Sequence, residues 1–102
     1  MRTVDDAGFE EEVLRAETPV IVDFTAPWCA PCHAIAPVLE ELARESGLAL
    51  VSVDVDENPA TAARFDVLSL PTVILFASGE PRKTVHGARP KKHFAKAFAD
   101  YL

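Results

Sequence analysis

The chain has 102 residues, 49% of them hydrophobic and 25% charged, and a formal net charge of −6. That length fits one domain over residues 1–102 with a core of its own. It offers neither the ~18 consecutive apolar residues of a membrane span nor an apolar run after Arg2 that would make a secretory leader, so no membrane partner is expected and the cytoplasm is the expected compartment.

Acidic residues cluster at the front, at Asp5, Asp6, Glu10, Glu11 and Glu12, and basic ones near the end, at Arg82, Lys83, Arg89, Lys91, Lys92 and Lys96. Such runs are usually solvated faces, and the alternative is a docking face for an acidic partner. The acidic balance, and the lack of aromatics interleaved with the basic residues, argue against a nucleic-acid partner.

Arg2-Thr3-Val4 reads as a short edge strand. Asp5 or Asp6 then caps a helix whose Phe9, Val13 and Leu14 share a face, and Glu17-Thr18-Pro19 ends it. Val20 to Thr25 is apolar on both faces and reads as a central strand covered on each side. A helix starts at or near Cys29. Its Ile35, Val38, Leu39 and Leu42 form a 3.6-period stripe opposed by Glu40, Glu41, Arg44 and Glu45. Pro37 kinks this helix and Ser46-Gly47 stops it. Leu48 to Val55 is a second central strand, Asp56 to Pro59 a turn, Ala60 to Phe65 a short helix, and Asp66 to Leu70 a loop. Thr72 to Phe76 is a strand, Ala77 to Pro81 a hairpin loop with Gly at a turn position, and Arg82 to His86 the returning edge strand. After Gly87, Pro90 opens a final helix with Phe94, Ala97, Phe98 and Tyr101 inward. The order β-α-β-α-β-α-β-β-α predicts an α/β fold. A central mixed sheet of four to five strands is flanked by four helices.

The two cysteines of the chain, Cys29 and Cys32, fall three apart at a helix start. That spacing can bring their Cα atoms within the ~4.4–6.8 Å a disulfide needs. The positive helix N-terminus with its unpaired N–H groups favours a thiolate. The chemistry such a pair serves is dithiol–disulfide exchange. Half a zinc site is the competing reading. It lacks ligands, because zinc wants four and there is no second cysteine pair; no metal is expected. Asp23, in the middle of the central strand, is costly there unless paired or protonated. Alternatively the strand register turns it to water.

Trp28-Cys29-Ala30-Pro31-Cys32, in that element order, resembles the active site of the thioredoxin family. The resemblance runs along nearly the whole chain. Val22-Asp23-Phe24 is similar to the family's buried-aspartate strand, Pro37 to its kinking proline and Asp56-Glu57-Asn58-Pro59 to its strand-end turn. Leu70-Pro71-Thr72 is similar to its cis-proline loop, and Gly87 to the glycine beside the active site. Four positions differ from the commonest pattern. Ala30 replaces a glycine, His33 a lysine or arginine, Thr25 a second tryptophan, and Ser52 a lysine near the buried aspartate.

What the resemblance implies is a thioredoxin fold and reduction of disulfides in protein substrates. Cys29 is expected to be the exposed nucleophile and Cys32, one turn in, the more buried resolving thiol. Asp23 is its proton acceptor and donor, with a pKa raised by burial. Pro71 is cis, and the backbone of Leu70 pairs with an extended substrate segment. Trp28, Ala30, Pro31, Leu70, Gly87 and Ala88 form a small apolar rim, Trp28 as surface cover or else as core. The implied electron donor is an NADPH-dependent flavoprotein, a thioredoxin reductase. No bound cofactor and a monomeric state are expected. His33, His86 and His93 read as surface residues. The rival readings are a disulfide oxidant or isomerase on the same scaffold, and a clamp or chaperone whose redox chemistry is incidental. The Ala30-Pro31 pair, which keeps the proline typical of reductants, favours reduction.

Overall fold

The computed structural model describes residues 1–102. Five strands form one sheet in the order β1-β3-β2-β4-β5. They are β1 (Arg2–Thr3), β2 (Val20–Thr25), β3 (Ala49–Asp54), β4 (Thr72–Ala77) and β5 (Glu80–His86). The helices are α1 (Ala30–Ser46), α2 (Pro59–Arg64) and α3 (Lys91–Ala97), with an N-terminal helical turn at Glu10–Leu14 and a tight closing turn at Ala99–Tyr101. The predicted element order and mixed sheet are present. β1, β2 and β3 run parallel, while β4 is antiparallel to both β2 and β5.

β2 sits in the middle of the sheet, which accounts for its unbroken apolar composition. Val20, Ile21, Val22 and Phe24 are all buried. One face carries Val20, Val22 and Phe24 against Phe9 and Val13 of the N-terminal segment, Val51, Val53, Ile74 and Phe76. The other carries Ile21 with Val73 and Leu75 against Ile35 and Leu39 of α1 and Phe94 and Phe98 of the C-terminal segment. Burying each such phenylalanine contributes about 1.5–3 kcal/mol. α1 runs unbroken through Pro37 and ends at Gly47, whose φ of 75° and N–H bond to the Ala43 carbonyl (2.8 Å) terminate it.

Three local expectations need correction. The first helix is one wide turn, in which the Arg15 N–H reaches back five residues to the Glu10 carbonyl (2.9 Å). Asp5 does bond the Gly8 N–H (2.8 Å), but the Asp6 carboxylate leaves this element altogether. It accepts from the Thr61 N–H (2.9 Å), the Thr61 hydroxyl (2.6 Å) and the Ala60 N–H (3.4 Å) at the start of α2. The hairpin is also tighter than predicted. Ser78 (φ 54°) and Gly79 (φ 80°) turn the chain by themselves, the left-handed pair a two-residue hairpin needs. β5 therefore begins at Glu80 and contains Pro81, tolerated on an edge strand beside an irregularity at Leu75/Phe76. Finally, α3 itself ends at Ala97, and the rest of the stripe lies beyond it. Phe94 and Phe98 are fully buried, but Ala97 and Tyr101 only half-buried.

Candidate active site

Ala26, Cys29 and Cys32 make a small buried cluster above the C-terminal end of β2, with Val55 and Leu70 packed against it. Cys29 has extended backbone angles (φ −90°, ψ 97°) and occupies the cap position of α1, with Pro31 in the first turn where its missing N–H costs nothing. The Cys32 N–H points back at the Cys29 sulfur (3.3 Å). The two sulfurs are joined as a disulfide, with Cα atoms 5.3 Å apart. Accessibility does not separate the two cysteines: Cys29 is 3% and Cys32 2% exposed. The expected contrast between an open and a sheltered sulfur is thus absent in the bonded form, since the bridge holds both within one cluster. What distinguishes them is the N–H directed at Cys29 alone.

Asp23 lies on the covered face of β2, not toward water, and is 2% exposed. Its Oδ1 has no hydrogen-bond partner. Burial pushes the carboxyl up to about 7. Its neighbour across β3 is Ser52 and across β4 Val73, so no cation faces it from the flanking strands. Asp23 and Cys32 line the same cavity of about 200 Å³, together with Ser52, Thr25, His33 and Met1. No group of histidines, cysteines and carboxylates is arranged to hold a metal ion.

Around the disulfide, Trp28 is 70% exposed and is surface cover, not core. Its indole N–H donates to Asp56 Oδ2 at 2.7 Å. That tie was missed: 28 residues separate the partners, and Asp56 read simply as part of a turn. Ala30 and Pro31 are exposed at the start of α1, Leu70 is half-buried, and Pro71 is buried. The Leu70–Pro71 bond is cis. The Pro71 carbonyl accepts the Gly87 N–H at 2.9 Å, which joins that loop to the end of β5. Gly87 takes φ 90°, a conformation open to glycine, and Ala88 beside it is exposed. His33 is exposed, with Nε2 2.8 Å from the Pro27 carbonyl. His86 Nδ1 lies 3.2 Å from Thr72 Oγ1, whose hydroxyl donates to the Ser69 carbonyl (2.7 Å). No helix is long and apolar enough to cross a membrane.

The geometry is that of a redox-active cysteine pair at a helix start, next to a buried carboxyl. Comparison with known proteins agrees. The family model described as Thioredoxin matches residues 1–100. A thioredoxin of Mycolicibacterium smegmatis is 48% identical over 103 residues, covering 97% of this chain and 92% of its own. One from Mycobacterium tuberculosis is 48% identical, covering 97% and 87%, and one from Synechocystis 44%, covering 97% and 94%. With the matched model spanning nearly every residue, the chain belongs to the thioredoxin family of protein-disulfide oxidoreductases.

Proposed function

We propose that this protein reduces disulfides of other proteins, with Cys29 as attacking thiolate, Cys32 as resolving thiol and Asp23 as the group that accepts and returns a proton. The observation that carries this reading is the Cys29–Cys32 pair at the start of α1, with the Cys32 N–H aimed at the Cys29 sulfur. In the dithiol form that N–H and the helix N-terminus stabilise negative charge on Cys29. The Cys29 thiolate attacks one sulfur of a substrate disulfide. A Cys29–substrate bond forms, the substrate S–S bond breaks, and its second sulfur leaves as a thiolate that takes a proton from water. Cys32 then gives its proton to Asp23 and attacks the Cys29 sulfur. The Cys29–Cys32 bond forms as the second substrate thiolate leaves, and the Asp23 proton is returned through the shared cavity. Two electrons pass from the dithiol to the substrate, and the disulfide form described above is the product state. A carboxyl held at about 7 suits proton exchange with a thiol near neutral pH.

The substrate segment would lie over Trp28, Ala30 and Pro31 and pair with the backbone at Leu70, bounded by Pro71, Gly87 and Ala88. This is strand addition in which main-chain bonds give affinity with little sequence demand. The exposure of Trp28 supports it. A single domain over 1–102 acting as a monomer in the cytoplasm, recycled by an NADPH-dependent thioredoxin reductase, completes the reading.

The test is trapping. The reduced Cys32→Ser variant, mixed with a disulfide-bonded protein such as insulin, is expected to accumulate a covalent adduct through Cys29, seen by intact mass. Cys29→Ser is expected to give none. Adducts on Cys32 in the second variant and not on Cys29 in the first would reverse the roles. The reduction potential, followed by Trp28 fluorescence in glutathione and dithiothreitol buffers, is expected below that of the glutathione couple. A markedly higher value would point to an oxidant or isomerase.

A further inference from the structure

Three of the six basic residues of the last third are paired with carboxylates. Arg82 reaches the Ala77 carbonyl and Glu80, Lys83 pairs with Asp100, and Lys91 is held between Glu41 and Glu45. Arg89 is different. It makes no ion pair, and its single hydrogen bond is from Nε to the His86 carbonyl at 3.1 Å. That bond fixes the guanidinium and leaves both Nη groups without a protein acceptor. A Cβ added to Gly87 would lie 3.7 Å from the same Nε, so the guanidinium rests against the bare glycine. The Gly87 N–H is bonded to the Pro71 carbonyl, and Leu70 packs against Cys29 and Cys32. His86, whose carbonyl anchors Arg89, is itself tied through its ring to Thr72 and thence to Ser69. Contacts therefore run without a break from the redox pair, through Leu70-Pro71 and Gly87, to a held but unpaired cation on a chain of net charge −6.

We propose that Arg89 is a specificity-determining residue that binds an aspartate or glutamate carboxylate on the substrate segment beside its reactive disulfide. A guanidinium stays charged at any working pH and presents its donors in a rigid fork that suits carboxylate oxygens. Elsewhere this acidic protein repels acidic segments at long range. At Arg89 the attraction is local, and contacts through Gly87, Pro71 and Leu70 link it to the reacting sulfurs, so it selects which disulfides are held there. The inference rests on Cys29 attacking substrates laid over Leu70, as proposed above.

The experiment compares single-turnover reduction of disulfide-bonded peptides that differ solely in carrying acidic, neutral or basic residues beside the cysteines. The wild-type protein, Arg89→Met and Arg89→Lys are used, with hydroxyethyl disulfide as a small neutral substrate for the wild type. The wild type is expected to reduce acidic peptides about three- to fivefold faster than neutral ones, the range of a partly exposed charge pair. That preference falls to near unity in Arg89→Met, persists in part in Arg89→Lys, and fades at high salt. A wild type without the preference, or an Arg89→Met variant that keeps it, overturns the proposal. If the wild type fails to reduce even hydroxyethyl disulfide, the Cys29 reading itself fails and this inference goes with it.

Discussion

Asp23 and Ser52 are register partners on the parallel pair β2–β3, so the buried carboxyl has a small neutral hydroxyl beside it where a cation would neutralise it. Asp23 Oδ1 has no hydrogen-bond partner, and the whole upward shift of its pKa comes from burial. An unpaired buried acid of this kind is unfavourable to the fold once it ionises. Between its ordinary value of 3.8 and about 7 the folded state holds a proton that the unfolded state has released. Stability therefore declines as pH rises through that window and levels off above it. The linked loss is on the order of 4 kcal/mol. Asp23→Asn, which keeps the shape and never ionises, is expected to match the wild type near pH 4 and to be several kcal/mol more stable at pH 9. Urea unfolding of both disulfide forms at the two pH values measures it; equal gains at both would show that ionisation of Asp23 is not the cause.

The bond from the Trp28 indole to Asp56 joins the active-site loop to the turn after β3. Trp28 is mostly exposed, so water replaces a lost partner and the cost to folding is small, within about 1 kcal/mol. Orientation is another matter, because the indole is the largest exposed apolar surface beside Cys29. Asp56→Ala is expected to leave the urea midpoint nearly unchanged, to shift Trp28 emission, and to slow reduction of protein disulfides more than of hydroxyethyl disulfide. Equal slowing of both would place the defect in the sulfur chemistry instead of the rim.

α2 has no side-chain cap of its own at Asn58. Its first N–H groups are satisfied from far away by Asp6, while the Asp6 N–H is taken by Asn58 Oδ1 at 2.9 Å. The hydrogen bonds from Thr61 hold the Asp6 carboxyl below the usual carboxylate range. A depressed pKa contributes stability above the ordinary value of 3.8, and that contribution is lost as pH falls through the folded pKa. Asp6→Ala is expected to lower the urea midpoint at pH 7 with an unchanged slope, and to speed amide exchange at Ala60 and Thr61. The difference from wild type should shrink below pH 3.8. A pH-independent difference would assign the effect to packing instead of charge.

The elements with strong local patterns were legible in the sequence. The apolar run of β2, the α1 stripe ending at Gly47 and the Cys29/Cys32 spacing each need nothing from the rest of the chain. Asp23 was legible as a conflict, a carboxylate inside a buried strand, and its inward orientation resolves that conflict in favour of an acid that is only partly ionised near pH 7. What the sequence hid was set by distant partners. Asp6 looked like a local cap but serves α2, 55 residues from Thr61. Asp56 looked like turn chemistry but holds Trp28. The basic stretch looked uniform, yet pairing with Glu41, Glu45, Glu80 and Asp100 leaves Arg89 among its members with a fixed guanidinium and no carboxylate. The similar burial of Cys29 and Cys32 follows from their bond, a state that the spacing permits without specifying.

Ser52 offers the sharpest handle on proton exchange. It is 8% exposed, and it borders both the cavity of about 200 Å³ shared by Asp23 and Cys32 and an adjoining open cleft of about 310 Å³. A lysine stem at this position has space to extend without displacing the core, and its ammonium can lie near the carboxyl. An adjacent positive charge favours the ionised acid, opposing the desolvation that now raises it. Ser52→Lys is therefore expected to bring the Asp23 pKa down from about 7. In the proposed mechanism Asp23 must be ionised to accept the Cys32 proton, so the pH midpoint for resolving the mixed disulfide is expected to move down with it. Infrared or NMR titration of the carboxyl gives the first quantity, and stopped-flow release of a trapped substrate thiol across pH 5–9 gives the second. A carboxyl pKa that falls while the resolving midpoint stays fixed would separate Asp23 from the proton transfer, and the Cys32 proton would then have to leave by way of solvent in the cavity.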